Sequence, residues 1–191
     1  MTSSIESDTI SSAGRAAHDI GLAALLGGNL FGRLAMHPAL SRVSDERERG
    51  EVVNAAWRRY GTFNSLGLAA ILAGWAGARL GEAQPRYLND RERTLARAKD
   101  VAVVAVAVTG VASAAEGVRF GRSAPDGGVP LEDGNRTADD SSASQSRNKR
   151  ILNALGGASL VAELALVGIN ASLAQANFRR PPARRLLKRS F

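Results

Sequence analysis

The sequence contains no cysteine and only two histidines. Without cysteine the chain cannot form disulfide bonds, thiolate metal sites, iron–sulfur clusters or a thiol nucleophile. The phosphate-binding loop, the zinc-protease motif, the nucleophile elbow and the dinucleotide fingerprint are also missing. These absences favour a non-catalytic protein and give no reason to expect a metal or another cofactor.

The two histidines, His18 and His37, raise the alternative of a membrane oxidoreductase subunit that binds haem or quinone. Both lie on the first predicted helix, where 19 residues correspond to roughly 28 Å along the axis. That separation prevents the two side chains from ligating one iron within a chain. A bis-histidine haem would therefore need a partner subunit, and we expect both histidines at membrane interfaces instead.

Charged residues are scarce in four long segments of the sequence. These segments are residues 20–32, 61–78, 101–115 and 151–178, the last interrupted only by Glu163. A soluble amphipathic helix carries a polar stripe that recurs every three or four residues, which these segments lack. Four such helices in so short a chain cannot all be central in a water-soluble core.

The sequence therefore predicts an all-α fold, a bundle of four transmembrane helices in a multi-pass membrane protein. About 20 apolar residues cross the bilayer core, and segments two to four approach or exceed that length. The first segment supplies only 13 residues before Arg33. It reaches a full span if the Arg33 guanidinium extends towards the headgroups. A soluble, alanine-rich helical bundle is the alternative.

The predicted organisation has polar termini and one long connection. Residues 1–16 form a polar tail, residues 17–120 hold transmembrane helices one to three, and residues 151–178 form helix four. We expect Asp45, and Asn89 or Asp90, to cap helices two and three. Residues 121–150 are rich in Pro, Gly, Asp, Ser and Asn, which predicts a disordered linker. Residues 179–191 form a basic tail.

The net charge of +7 is concentrated in the tails and connections. Four spans place both termini on the same side of the membrane. That side carries slightly more cations than the opposite side, which favours termini in the cytoplasm. We expect the bilayer, and a membrane protein or a second copy of the chain, as partners, and no nucleic acid because no recognition module is present. Six tail cations are expected to contact anionic lipid headgroups, each worth on the order of 1 kcal/mol: Arg179, Arg180, Arg184, Arg185, Lys188 and Arg189.

An internal repeat is visible between the second and fourth helices. Residues 63–73 and 152–162 align without gaps and match Asn64 with Asn153. A weaker match aligns Asp19 with Asp100 at the starts of helices one and three. We therefore predict two repeated αα-hairpins related by a pseudo-twofold axis along the membrane normal. The GxxxG patterns at residues 28–32, 77–81 and 117–121 predict close helix contacts.

Polar residues within the apolar segments are the best functional candidates, because burying them in lipid is costly. The set comprises Asn29, Arg33, Asn64, Glu116, Asn153 and Glu163.

Depth along the helices predicts which of these residues meet. Arg33 and Glu116 lie at depths that differ by roughly 3 Å, so the two are expected to pair. Asn29 is expected to meet Glu163 near the middle of the bundle. Asn64 and Asn153 occupy equivalent positions near the opposite face.

Two roles for these polar residues remain open. The first is that they join helices through hydrogen bonds in a non-catalytic helix-packing or accessory subunit. The alternative is a proton or ion relay centred on Glu163 in a small transporter or channel component.

Overall fold

The computed structural model describes residues 2–124 and 128–178. Its four long helices are α1 (Thr2–Phe31), α2 (Glu46–Leu80), α3 (Asp90–Arg122) and α4 (Ala143–Phe178). The described part of the chain is helical and has no strands, although Leu131 and Thr137 form one isolated bridge. The predicted all-α fold is confirmed. Helix α1 begins at Thr2, so part of the predicted polar tail is helical.

Side-chain caps fix where α2 and α3 begin. The carboxylate of Asp45 accepts a hydrogen bond from the backbone N–H of Glu48 at 2.8 Å. Asn89 caps α3 in a reciprocal capping box with Glu92, each side chain accepting from the other's backbone N–H. Both caps satisfy N–H groups that a helix leaves unpaired in its first turn. The predicted caps Asp45 and Asn89 are confirmed.

The end of α1 widens before the chain turns. Residues Gly32–Met36 form one π-helical turn, closed by the N–H of His37 donating to the carbonyl of Gly32. Pro38 has no N–H, so the ordinary α-helical bond to Leu34 cannot form. A short helix, His37–Ala39, and a 3-10 turn, Leu40–Arg42, lead into α2.

The four helices form two hairpins in an up-down-up-down bundle. Helix α1 packs along α2, and α3 packs along α4, whereas α1–α4 and α2–α3 contacts are less extensive. The predicted pairing into consecutive αα-hairpins is confirmed. That the hairpins are copies of one repeated unit stays a prediction.

Glycines spaced seven residues apart allow α1 and α2 to pack closely in the first hairpin. Gly14 and Gly21 of α1 lie against Gly74 and Gly67 of α2, in antiparallel order. A Cβ added at Gly21 would lie 2.5 Å from the carbonyl oxygen of Gly67, and one at Gly74 would lie 2.5 Å from that of Gly14. The two backbones therefore approach more closely than any side chain would permit.

The GxxxG pattern at residues 28–32 serves a different purpose. The ring of Tyr60 lies on Gly28, where an added Cβ would clash with it, and the ring of Trp57 lies on Gly32 in the same way. These glycines leave room for aromatic side chains of α2 and not for its backbone.

Of the other two GxxxG patterns, 77–81 contacts no other helix, and 117–121 does so only at its second glycine, where a Cβ added at Gly121 would lie 3.2 Å from Oδ1 of Asn54 on α2. A Cβ added at Gly77 or Gly117 would meet nothing within 4 Å. The pattern was misleading because it fixes spacing along one helix but not which side of that helix faces a neighbour.

The connection between α3 and α4 differs from the predicted disordered linker. Helix α3 extends to Arg122 and α4 begins at Ala143, so both ends of 121–150 are helical. Within residues 128–142, Val129, Leu131 and Ala138 are buried. Composition favoured disorder, but these three apolar side chains find a site at one end of the bundle.

Hydrogen bonds anchor that connection to α2. The N–H of Leu131 donates to the carbonyl of Glu46 at 2.9 Å. The guanidinium of Arg49 donates to the carbonyls of Val43, Ser44, Leu131 and Glu132 at 2.6–3.3 Å. Arg49 therefore joins residues 43–44 to residues 131–132. We call this end of the bundle, covered by residues 128–142, the capped end, and the end with residues 81–89 the connector end.

Two of the four helices are apolar enough to cross a membrane. Among the described residues these are Asp90–Arg122 and Ala143–Ala176, and only 28% and 17% of their most apolar windows are buried. Helix α1 falls short because it contains Arg15, His18, Asp19 and Asn29. Helix α2 falls short because its glycines and Asn64 lower the mean hydropathy.

Candidate functional site

A buried polar cluster lies in the seam between α1 and α4. Its centre is Glu163, on α4, which is 2% exposed. One carboxylate oxygen accepts from the hydroxyl of Ser159 at 2.8 Å, and the other accepts from the amide of Asn29 at 3.4 Å. Asn29 and Glu163 therefore meet, as their depths predicted.

Arg33 extends the seam towards the capped end. Its Nε donates to Oδ1 of Asn29 at 3.3 Å, and a terminal nitrogen donates to the carbonyl of Asn153 at 2.8 Å. The Asn29 amide also donates to the carbonyl of Gly156 at 3.2 Å. A side chain at Gly156 would place its Cβ 2.7 Å from the guanidinium, so glycine makes room for Arg33.

Hydrogen bonds continue from this seam to the cap. The amide of Asn153 donates to the carbonyl of Asn135 at 2.7 Å. The side-chain oxygen of Asn135 accepts from Nδ1 of His37 at 3.3 Å, and the ring of His37 packs edge-on against Trp57. A continuous polar path therefore runs from the exposed Asn135 to the buried Glu163.

The predicted pair of Arg33 and Glu116 is wrong. Glu116 is buried between α3 and α4, where it accepts from Arg119 at 2.7 Å. The amide of Asn148, oriented with nitrogen towards the acceptors, donates to Glu116 at 3.3 Å. The two residues lie at similar depth but do not meet, because Arg33 lies in the seam between α1 and α4 and Glu116 lies in the seam between α3 and α4.

Asn64 also lies outside the network. It is half-buried on α2 and takes no part in the hydrogen bonds that link Asn29, Arg33, Asn153 and Glu163. The site therefore contains four of the six predicted residues.

A second set of polar contacts closes the connector end. Asn170 of α4 donates to the carboxylate of Asp19 on α1 at 3.1 Å. Across the α2–α3 seam, Asp100 accepts from Trp75 at 2.8 Å and from Arg79 at 3.0 Å. Polar contacts thus join the hairpins at this end too.

An apolar layer separates Glu163 from the connector end. On α1, Leu22 and Leu25 lie between Asp19 and Asn29, and on α4, Leu166 follows Glu163. These three leucines are at most 3% exposed and belong to one hydrophobic core. The seam is therefore polar towards the capped end and apolar towards the connector end.

The two histidines lie at opposite ends and do not form a common site. Nδ1 of His18 donates to the carbonyl of Ile71 at 2.9 Å, whereas His37 contacts the cap. Among residues 2–124 and 128–178, no group of three His, Cys, Asp or Glu side chains could hold a metal.

Three basic side chains near the helix ends have perturbed pKa values. Burial, aided by the charge of Lys149, lowers the pKa of His37 from 6.5 to about 4. Burial also lowers the pKa of Lys149 from 10.5 to about 8, and its ammonium lies 5.9 Å from the ring of Phe120. Burial likewise lowers the pKa of Lys99 to about 8, and its ammonium lies 4.4 Å from the centre of the Trp75 ring.

Sequence reasoning missed Ser159 and Asn135 as members of the network. Ser159 precedes Glu163 by four residues, a spacing that places both on one helix face and offered a usable signal. Asn135 carried no such signal, because its segment was expected to be disordered. The six tail cations predicted at lipid headgroups lie outside the described residues.

No family model, no curated protein and no solved structure matches the chain.

Proposed function

We propose that the chain is a small polytopic membrane protein in which all four helices span the bilayer. In this proposal it acts without catalysis, as a helix-packing or accessory subunit. The observation that carries the proposal is an inverted distribution of polarity. Glu163 and Ser159 are buried, whereas Val101, Val104 and Val108 of α3 are 60–71% exposed.

The same inversion extends to α1 and α2. Ile20 and Phe31 on α1, and Phe63 and Leu66 on α2, are 63–70% exposed. Water would penalise this much apolar surface by roughly 25 cal/mol per Å², whereas hydrocarbon does not. Asn29 of α1, and Arg33 of the π-helical turn that continues α1, both hydrogen-bond to α4. These features support four spans over two.

Fixed hydrogen bonds favour the packing role. Both oxygens of Glu163 are paired, and Asn29 and Arg33 each bridge α1 to α4. Interhelical hydrogen bonds of this kind stabilise membrane bundles by about 0.6–2 kcal/mol each. We further propose that the connector end and the termini face the cytoplasm.

Labelling of single cysteines tests the number of spans, and the natural chain is a blank because it has no cysteine. The positions are Ser44 and Ser142 near the capped end and Arg86 at the connector end, each exposed. In sealed vesicles, four spans place Ser44→Cys and Ser142→Cys on one side and Arg86→Cys on the other.

Two spans, formed by α3 and α4 alone, would instead put Ser44→Cys and Arg86→Cys on the same side. A chain that stays in the supernatant after ultracentrifugation without detergent, folded and monodisperse, would refute the membrane proposal. For the accessory role, the tagged chain should co-purify with a larger membrane complex. Purification of the chain alone would contradict that role.

A second candidate function is a small transporter or channel component. The specific observation in its favour is that a carboxylate, Glu163, is buried midway along α4 and lies at the end of a polar path.

A further inference from the structure

We infer that Glu163 is a proton-binding site, reached from the capped end and closed towards the connector end by a layer of leucines. The inference deepens the second candidate function and, for its sidedness, rests on the proposed four spans. Glu163 takes one proton from water to become a neutral carboxylic acid and returns it to water on release. No other bond forms or breaks.

The groups around the carboxylate do not form a site for a metal cation. Ser159 and Asn29 both point hydrogen atoms at the Glu163 oxygens. A metal cation needs several oxygen ligands that present lone pairs, and these two groups present donors instead. The two donors favour the ionised carboxylate, but burial opposes it and is the larger effect. On protonation the hydroxyl of Ser159 can rotate to accept a hydrogen bond from the new O–H.

The charged and titratable groups that act on Glu163 come from two neighbouring helices. Arg33, from α1, favours the ionised carboxylate, although its own hydrogen bonds go to Asn29 and Asn153. Tyr60, from α2, interacts electrostatically with the carboxylate. Helix α3 contributes the apolar side chains of Val103 and Val106 to the same core as Leu166.

Access from the capped end follows the hydrogen-bonded groups already described. Asn135 is exposed, Asn153 and Arg33 are partly exposed, and Asn29 is in direct contact with Glu163. Each of these groups can donate to or accept from an entering water molecule. Because these polar groups follow one another from the surface to Glu163, water can approach the carboxylate without crossing apolar surface.

Leucines prevent the same access from the other side. From Glu163 to Asn170 is seven residues, or roughly 10 Å of helix. Leu22, Leu25 and Leu166 fill this interval and are buried. A proton on Glu163 therefore exchanges with one end of the bundle only.

Infrared spectroscopy of the purified full chain tests proton binding directly. As the pH is lowered, a carboxylic acid C=O band assigned to Glu163 is expected to grow and to be absent from Glu163→Gln. Glu116→Gln is the matched control, since Glu116 is equally buried but paired with Arg119, and it should keep the band. A band that survives in Glu163→Gln, or that only Glu116→Gln removes, would overturn the assignment.

Proton flux into reconstituted vesicles tests the leucine layer. Leu166→Ser should raise proton permeability about tenfold, equivalent to about 1.4 kcal/mol of barrier, and adding Glu163→Gln should abolish the rise. Val161→Ser is the control, because Val161 is exposed on the same helix. Equal permeability of Leu166→Ser and Val161→Ser would refute the layer.

These outcomes are separable from failure of the proposed topology. The infrared titration needs no membrane and holds for two spans, four spans or a soluble bundle. Cysteine labelling that gives four spans together with an unchanged infrared spectrum in Glu163→Gln would remove the proton site alone.

Discussion

The glycines between α1 and α2 allow a direct test of how the first hairpin is built. Gly21→Ala adds a single Cβ that would lie 2.5 Å from the carbonyl oxygen of Gly67. The obstacle is backbone, which cannot rotate away as a side chain can. Gly27→Ala is the matched control on the same helix, because a Cβ there meets nothing within 4 Å.

The magnitude follows from that distance. Ordinary contact begins near 3.4 Å, so the helices must separate by about 1 Å around Gly21. A radial gap of that size forfeits a quarter to a half of each local dispersion contact. Overpacking of this kind costs typically 1–3 kcal/mol. Both substitutions gain up to about 1 kcal/mol of helix propensity, which cancels in the comparison.

We expect Gly21→Ala to be less stable than Gly27→Ala by about 1–3 kcal/mol. The free energy of unfolding is measured for both variants in the same detergent by following helical circular dichroism. Gly74→Ala and Gly77→Ala provide a second comparison on α2, with the same expected order. Equal stability within each pair would show that the close backbone approach does not exist and would refute the reasoning.

Two further predictions concern the capped end. Arg49→Ala removes hydrogen bonds to four carbonyls, so residues 128–142 should open more often. Amide hydrogen exchange at Leu131 should then speed up at least tenfold, whereas the control Arg58→Ala, at an exposed position, should leave it unchanged. In Lys149→Met, the rise of stability with pH should shrink. The lowered pKa of Lys149 means that the unfolded chain binds more protons between pH about 8 and 10.5, so wild-type stability increases across that window by on the order of 3 kcal/mol. An identical pH profile for Lys149→Met in chemical denaturation would contradict the assigned burial.

Local sequence signals predicted the helices and part of the site. The caps Asp45 and Asn89 were readable because a cap depends on residues three or four positions apart. The meeting of Asn29 with Glu163 was predicted from depth along two helices. The wrong pair, Arg33 with Glu116, came from the same reasoning, because depth does not state which seam a side chain enters.

The sequence alone determined the four helices, the absence of thiol chemistry and the concentration of charge at the helix ends. Tertiary structure decided which glycines touch and which stay open, and it gathered Asn135, Asn153 and Arg33 into one path to Glu163. It also ordered residues 128–142, whose composition favours disorder until Leu131 finds a buried site. The physical reason is range: caps and helical periodicity depend on neighbours along the chain, whereas rotation about a helix axis is fixed only by packing against other helices.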